Sequence, residues 1–394
     1  MRMKAYKYRL FPTKSQIHTL EETLDKCRWV YNKTLEYRKK IWEKEQKSLS
    51  KYDTYNQLTK WKQKNEFLDD AYTQILRESQ ERVDLAFRAF FRRVKRGEKP
   101  GYPRFKKKDR YHSFTHPQIT SNFRFIDDNH INLPKIGVVR LKRHRPIDGR
   151  IKRITIRRYS TGKWFIIFSV KYQSHPSNWT GKAIGIDVGL RSFATLSDGQ
   201  KIDNPRFMKQ EEKNLKKSYQ KLGKTKKGSK ERTKARKILS RVYERINNRR
   251  HNFIHQTSRR IVDNFDLICV EKLQIEKLKQ KSHRSQRRSI QDVAWSMFFN
   301  SLVYKAGDAD KLVIQINPAY TTQTCSRCER RKKLDLKDET YQCDRCGLSM
   351  DRDENAAINV LRLGSQSLGS KDPKSLVLGR GTITEMELRR FRSS

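Results

Sequence analysis

The chain has 394 residues, with 90 lysines and arginines against 43 acids, for a formal net charge of +47 and 35% hydrophobic residues. That is enough apolar material for real cores in two to four domains. The charge excess would repel itself in any compact fold without a polyanionic partner, which points to an extended nucleic-acid surface. No 18-residue apolar run, signal peptide or basic amphipathic anchor stands out, so no membrane partner is expected and the chain reads as cytoplasmic.

In chain order, Met3 to Leu10 alternates like a strand, and Pro12-Thr13 ends it. Ile17, Leu20, Leu24, Cys27, Tyr31 and Leu35 recur at three to four, predicting an amphipathic helix to about Lys47. Further helices are expected over Tyr55–Lys64 and Tyr72–Lys95, with Ile75, Val83, Phe87, Phe90 and Phe91 read as core packing. Lys99 to Lys108 carries Pro100 and Pro103 and cannot be helical. Its Arg104, Phe105, Lys106, Lys107 and Lys108 interleave an aromatic ring with cations, as suits a phosphate backbone. Short strands follow at 123–125, 131–133, 138–141, 151–157 and 164–170, which predicts a small barrel or sandwich that also takes in Met3–Leu10. The helical stretch is then an insertion into that barrel.

Ala183 to Leu190 and Phe193 to Leu196 read as two strands of a meander, with Asp187 on the first. Gly185 and Gly189 are expected to leave the backbone beside that carboxylate open to a metal or a phosphate backbone. Phe207 to Phe265 is helical with a break at Gly223–Gly228, and it offers Arg249 and Arg250 to a nucleic-acid ligand. Asp266 to Glu271 is a buried strand ending in an acid. Lys277 to Arg288 lacks a period and reads as a mobile loop, followed by a helix over Val293–Ala306 and a strand over Leu312–Ile316.

Two motifs carry chemistry. Cys325-x2-Cys328 and Cys343-x2-Cys346 give two knuckles that can close one tetrahedral thiolate site, the pattern of a structural zinc ribbon. Cys27 and Cys269 sit in apolar patterns and belong to no such site. After the ribbon, Asp351-Arg352-Asp353-Glu354 opens a helix whose first turn is acidic, and spacing alone leaves Asp351 and Asp353 equivalent. An acid from this turn, with Asp187 and Glu271, could converge on one sheet edge and hold two Mg²⁺ ions for phosphodiester hydrolysis. His112, His116, His130, His251, His255 and His283 lack ligand-like spacing and read as surface or packing residues.

Ile184-Gly185-Ile186-Asp187-Val188-Gly189-Leu190, Val270-Glu271-Lys272-Leu273, the four-cysteine ribbon and Asp353-x-Asn355-Ala356-Ala357-x-Asn359 together resemble the TnpB (OrfB) proteins of insertion-sequence transposons. These are relatives of type V CRISPR effectors. The resemblance implies a multidomain α+β chain: a small wedge-type β-barrel with an inserted helical domain, then an RNase H-like (RuvC) domain carrying an inserted zinc ribbon. Implied boundaries are 1–10 and 113–178 for the barrel, 11–112 for the helical recognition domain, 179–320 and 351–363 for the nuclease domain and 321–350 for the ribbon. Residues 364–394 have too few apolar residues for a core and read as a disordered basic tail.

The resemblance also implies a catalytic triad of Asp187, Glu271 and Asp353 with two Mg²⁺, and one Zn²⁺ on Cys325, Cys328, Cys343 and Cys346. Family members bind a guide RNA from the transposon end, one chain per RNA, in a prokaryotic cytoplasm. They cut double-stranded DNA that pairs with the guide beside a short motif. No triad position departs from the pattern, which argues against relatives that act as RNA-guided repressors. The competing readings are a nucleic-acid-binding regulator without cleavage and a strand-joining transposase.

Overall fold

A computed structural model describes residues 2–119, 123–174, 179–335 and 338–369. The chain divides into two compact units, Met1–Gln173 and Ser174–Ser394.

In the first unit, β1 (Arg2–Phe11) leads into α1 (Lys14–Glu45), α2 (Lys51–Lys64) and α3 (Thr73–Lys95), and the chain then returns to strands. These are β2 (Ser113–His116), β3 (Arg124–Asp127), β4 (His130–Leu133), β5 (Gly137–Lys142), β6 (Arg150–Arg158) and β7 (Trp164–Tyr172). The sheet runs β2-β6-β7-β1-β5-β4-β3, antiparallel throughout, with β1 near its middle. Phe125 on β3 and Phe168 on β7 have ring centroids 5.7 Å apart. In a flat sheet those strands would stand about 19 Å apart, so the sheet is curled on itself. Thr13 and Ser50 start α1 and α2 with reciprocal capping boxes to Gln16 and Asp53. Leu20, Leu24, Ile75 and Val83 from the helices share one continuous core with Tyr8, Leu10, Ile166 and Phe168 from the sheet.

Two expectations change here. The strand β2 was not legible, because Phe114, Thr115 and His116 are all buried and give no alternation. Helices α1 and α3 cover this edge strand, and Arg82 of α3 donates to the Ser113 carbonyl at 2.6 Å. The aromatic stripe of α3 is only partly core. Ile75 and Val83 are buried and Phe87 packs against the same core, whereas Phe91 is 55% exposed and joins Phe87, Phe90 and Tyr102 in a ring cluster at its edge. His116 packs among Tyr72, Phe114 and Phe123, and burial pushes its pKa down to about 4.

The second unit begins with the meander β8 (Ala183–Asp187), β9 (Ser192–Leu196) and β10 (Lys201–Asp203). Helices α4 (Phe207–Gln210), α5 (Glu212–Gly223) and α6 (Lys230–Asn264) lead to β11 (Leu267–Glu271). After α7 (Ile275–Lys281), α8 (Arg284–Val293) and α9 (Trp295–Asp308) comes β12 (Leu312–Ile316). The hairpin β13 (Thr340–Gln342) and β14 (Ser349–Asp351) then precedes α10 (Arg352–Gly369). The sheet order is β10-β9-β8-β11-β12, with the first three strands antiparallel and β8, β11 and β12 parallel.

Alternation divides the faces. Ile184, Ile186, Ile268 and Val270 point to one side and pack against Ile254 and Ile261 of α6 and Phe298 of α9. Leu267, Cys269, Ile314 and Ile316 point to the other and meet Val360 and Leu368 of α10.

Residues 277–288 are not a loop: most of them lie in α7 and α8. The segment is anchored by buried Ile290 and Val293 and by Asp292, which accepts from Met208 N at 2.9 Å and from Arg250 at 2.6 Å. These anchors sit at or beyond the end of the basic run, so the run itself shows no period. Helix α10 continues to Gly369, past the expected tail start, because Leu368 is buried in the sheet face. Residues 370–394, where the rest of the tail was expected, lie outside the described residues.

Candidate active site and metal centre

Glycines set where α10 lies. A Cβ on Gly185 would stand 2.1 Å from the Ala357 carbonyl oxygen, and one on Gly364 would stand 2.2 Å from Cys269 Sγ. Both positions are filled by close helix–sheet contact. Gly185 therefore admits a helix, correcting the expectation that it leaves room for a metal or phosphate. Gly185 meets Ala357, and the charge of Asp353, four residues earlier on α10, reaches Asp187, two residues further along β8, so the N-terminus of α10 lies at the C-terminal end of β8.

Asp187 and Glu271 terminate those two strands. The last registered pair is Ile186 with Val270, so the acids follow side by side, about 4.8 Å apart at the backbone, on the face that α10 covers. From Gly185 to Asp187 the strand advances about 6.6 Å, and from Ala357 back to Asp353 the helix retreats about 6 Å. Matching lengths bring the Asp353 carboxylate to the same corner. Asp187 and Glu271 are buried, at 8% and 7% exposure. Burial raises Asp187 to about 8, and the like charges of Glu271 and Asp353 push the same way. Glu271 is also raised by burial, partly offset by the Thr321 hydroxyl that donates to its Oε1 at 2.6 Å.

Asp351 has other employment. Its Oδ1 accepts from the backbone N–H of Asp353 and Glu354, both at 3.1 Å, which makes it the N-cap of α10. Its Oδ2 meets Lys201 at 2.6 Å. Between the two acids that spacing left open, Asp353 is the one whose charge reaches Asp187.

The ribbon cysteines are closer together than the acids. The Sγ atoms of Cys325 and Cys346 are 3.6 Å apart, and those of Cys328 and Cys343 are 3.5 Å apart. Tetrahedral thiolates around a zinc ion with bonds of about 2.3 Å stand about 3.8 Å apart, so the set fits such an ion. Backbone N–H of Cys346, and then of Arg345, draws the Cys343 thiol down to about 6 against the effect of burial. Among the described residues these four are the one group of metal-ligating side chains whose donor atoms all lie within 4.8 Å of one another. The three acids, mutually repelling, do not meet that separation.

The nucleic-acid candidates divide. Arg104 and Lys107 are exposed, and Phe105 is 55% exposed. Asn32 clamps the Lys106 backbone with two hydrogen bonds of 2.7 and 3.0 Å, and Lys108 pairs with Asp25 at 2.9 Å. Arg249 stays half exposed, 3.4 Å from Glu211. Arg250 is less accessible: its side chain is 12% exposed and pairs with Asp292 at 2.6 Å, which ties α8 to α6.

Sequence reasoning missed Thr321 and gave no role to Asn355 and Asn359. The last two are fully buried and donate to the ribbon backbone. An i,i+4 asparagine pair on an apolar helix face was the available signal.

A relative from Streptomyces pristinaespiralis, named "Putative RNA-guided DNA endonuclease", is 32% identical over 368 residues, covering 92% of this chain and 89% of its own. The chain belongs to the TnpB (OrfB) family. Its Escherichia coli (strain K12) relative, "Putative RNA-guided DNA endonuclease InsQ", is 27% identical over 380 residues and 92% of each chain. The OrfB family of IS605, described as "Probable transposase", matches residues 167–282, and a "Cas12f1-like, TNB domain" matches 295–360. Together those spans contain Asp187, Glu271, the four cysteines and Asp353. A "Helix-turn-helix domain" matches 1–47, a stretch that here forms one strand and one long helix. Among solved structures, the mini-RNA-guided endonuclease CRISPR-Cas_phi3 superposes with a TM-score of 0.47 at 9% identity, covering 92% of both chains.

Proposed function

We propose that this TnpB-family chain is a transposon-encoded RNA-guided DNA endonuclease. It binds a guide RNA derived from the transposon end, recognises a short target-adjacent motif and hydrolyses target DNA at Asp187, Glu271 and Asp353. The observation that carries the reading is the buried acidic corner: two strand ends and a helix start bring like charges together, at a cost in desolvation that core packing does not explain. The names of the two relatives above point the same way.

The finer architecture follows from that reading. The order β10-β9-β8-β11-β12, antiparallel then parallel, supports reading 179–320 with 351–363, extended to the end of α10, as an RNase H-like (RuvC) domain. The curled sheet of 1–10 and 113–178 is the wedge barrel, 11–112 the recognition helices, and 321–350 the ribbon. The four cysteines hold one structural Zn²⁺.

Two Mg²⁺ ions bound at the acids would supply an activated water and stabilise the leaving oxygen. The chain's own part is to hold the three carboxylates. Asp187 and Glu271 are fixed in register by β8 and β11, Asp353 is oriented by the Asp351 cap, and α10 shields the corner through its contact with Gly185. Arg104, Phe105, Lys106 and Lys107 offer charge and a stacking face to the RNA or DNA backbone, and pairing by the guide reads the sequence. Among the described residues no helix is long and apolar enough to cross a membrane, and we place the protein in a prokaryotic cytoplasm with one chain per RNA. Sequencing RNA that co-purifies with the protein tests the reading. It predicts one dominant species mapping to the transposon end, and a heterogeneous RNA pool would contradict it.

A further inference from the structure

A buried hydrogen-bonded chain joins the ribbon to the acidic corner. Thr321, 3% exposed, follows β12 by five residues. Its hydroxyl lies 2.6 Å from Glu271 Oε1 and 3.3 Å from the Pro318 carbonyl. A hydroxyl has one proton, and the shorter, charge-assisted contact takes it. The Thr321 carbonyl accepts from Asn359 Nδ2 at 3.0 Å, and the same nitrogen reaches the Thr324 carbonyl at 2.6 Å. One turn earlier on α10, Asn355 donates to the Thr324 carbonyl at 2.8 Å and accepts from Ser326 N at 2.9 Å. Thr324 and Ser326 flank Cys325, a thiol of the metal cluster.

Satisfying the carbonyls of a tight turn would explain the two asparagines. It does not explain Thr321, which has a backbone carbonyl within reach and turns its hydroxyl to a carboxylate fifty residues away. We propose that Thr321 is a positioning residue that aims Glu271. Its own place is set by the cysteine ribbon through Asn355 and Asn359, so that ribbon assembly and alignment of the acidic corner are one event. The proposal rests on the nuclease reading. Partners of this kind, which hold a ligand without touching the ion, change metal affinity by about 10–100-fold when removed.

The test uses the full chain with its co-purified RNA and zinc retained, comparing Thr321→Val, Thr321→Ala and Thr321→Ser. Mn²⁺ titration followed by electron paramagnetic resonance reads the acidic corner, metal analysis reads the ribbon, and cleavage at saturating DNA reads kcat. Thr321→Val and Thr321→Ala should keep one zinc and normal RNA binding, while Mn²⁺ affinity and cleavage rate both fall about 10–100-fold. Thr321→Ser, which keeps the hydroxyl, should restore both. Wild-type Mn²⁺ affinity in Thr321→Val overturns the proposal, as does a Thr321→Ser as weak as Thr321→Val. Loss of zinc from both Val and Ala variants overturns it too, since Thr321 would then only fold the ribbon. A Thr321-dependent Mn²⁺ site in a wild-type protein that cuts no DNA would sink the nuclease reading and leave this one standing.

Discussion

Asp187 is held where its charged form is disfavoured, from an ordinary 3.8 to about 8, by burial first and then by Glu271 and Asp353. A carboxyl whose folded value is raised binds its proton more tightly in the fold than in the unfolded chain. Its stabilising contribution is complete below about pH 4 and is lost as pH rises through about 8. The thermal midpoint of Mg²⁺-free protein should therefore fall across that window, and Asp187→Asn should flatten the fall, by about 2–4 °C for each kcal/mol recovered. A midpoint in Asp187→Asn that tracks wild type at every pH would show the corner unstrained. Asp351 and Asp353 separate by role in the same way. Asparagine is itself a good cap, so Asp351→Asn should cost stability only through the missing Lys201 pair, on the order of 1 kcal/mol, and keep cleavage. Asp353→Asn should abolish cleavage with little change in melting. Reversed activities would move the third ligand to Asp351.

Element packing makes a different prediction, because α10 meets the sheet without side-chain clearance at Gly185. Gly185→Ala sets a Cβ 2.1 Å from a helix carbonyl that cannot rotate away, so denaturant unfolding should show a drop in stability of about 3 kcal/mol or more. Gly223, at the end of α5 with nothing within 4 Å, is the control. There alanine should be neutral to slightly stabilising, within about 1 kcal/mol. Equal effects at both sites would mean that α10 does not dock as described. These elements were unevenly legible. Strong periods, such as Ile17 to Leu35 in α1, and short apolar runs, such as Leu267 to Val270 in β11, showed in the residues because burial selects them directly. The strand β10 escaped because Lys201-Ile202-Asp203 holds a single apolar residue, and α8 escaped because its anchors follow a polar run. Gly185 was read as openness because a sequence marks the missing side chain and not what fills the space. At the candidate site the acids and cysteines were visible as chemistry. Parallel pairing of β8 with β11, which sets Asp187 beside Glu271, is a long-range fact with no local signature.

For the whole molecule, the +47 charge is the dominant quantity, and it makes association with RNA a counterion-release process. Affinity should fall steeply on a log–log plot against salt. Replacing Arg104, Lys106 and Lys107 together with alanine should reduce that slope by about two, at about 0.7 for each phosphate no longer neutralised. An unchanged slope would take the segment out of the interface. Whether the acidic corner cuts DNA chosen by a bound RNA has a direct test in one cleavage assay. Protein carrying its co-purified RNA is incubated in Mg²⁺ with duplex DNA matching the guide portion of that RNA and carrying a randomised flank, alongside Asp187→Asn. Wild type should cut molecules with a shared short flank, whereas Asp187→Asn should bind the same molecules and leave them whole. Intact DNA with bound, guide-matched wild-type protein would contradict the nuclease reading, and so would undiminished cutting by Asp187→Asn.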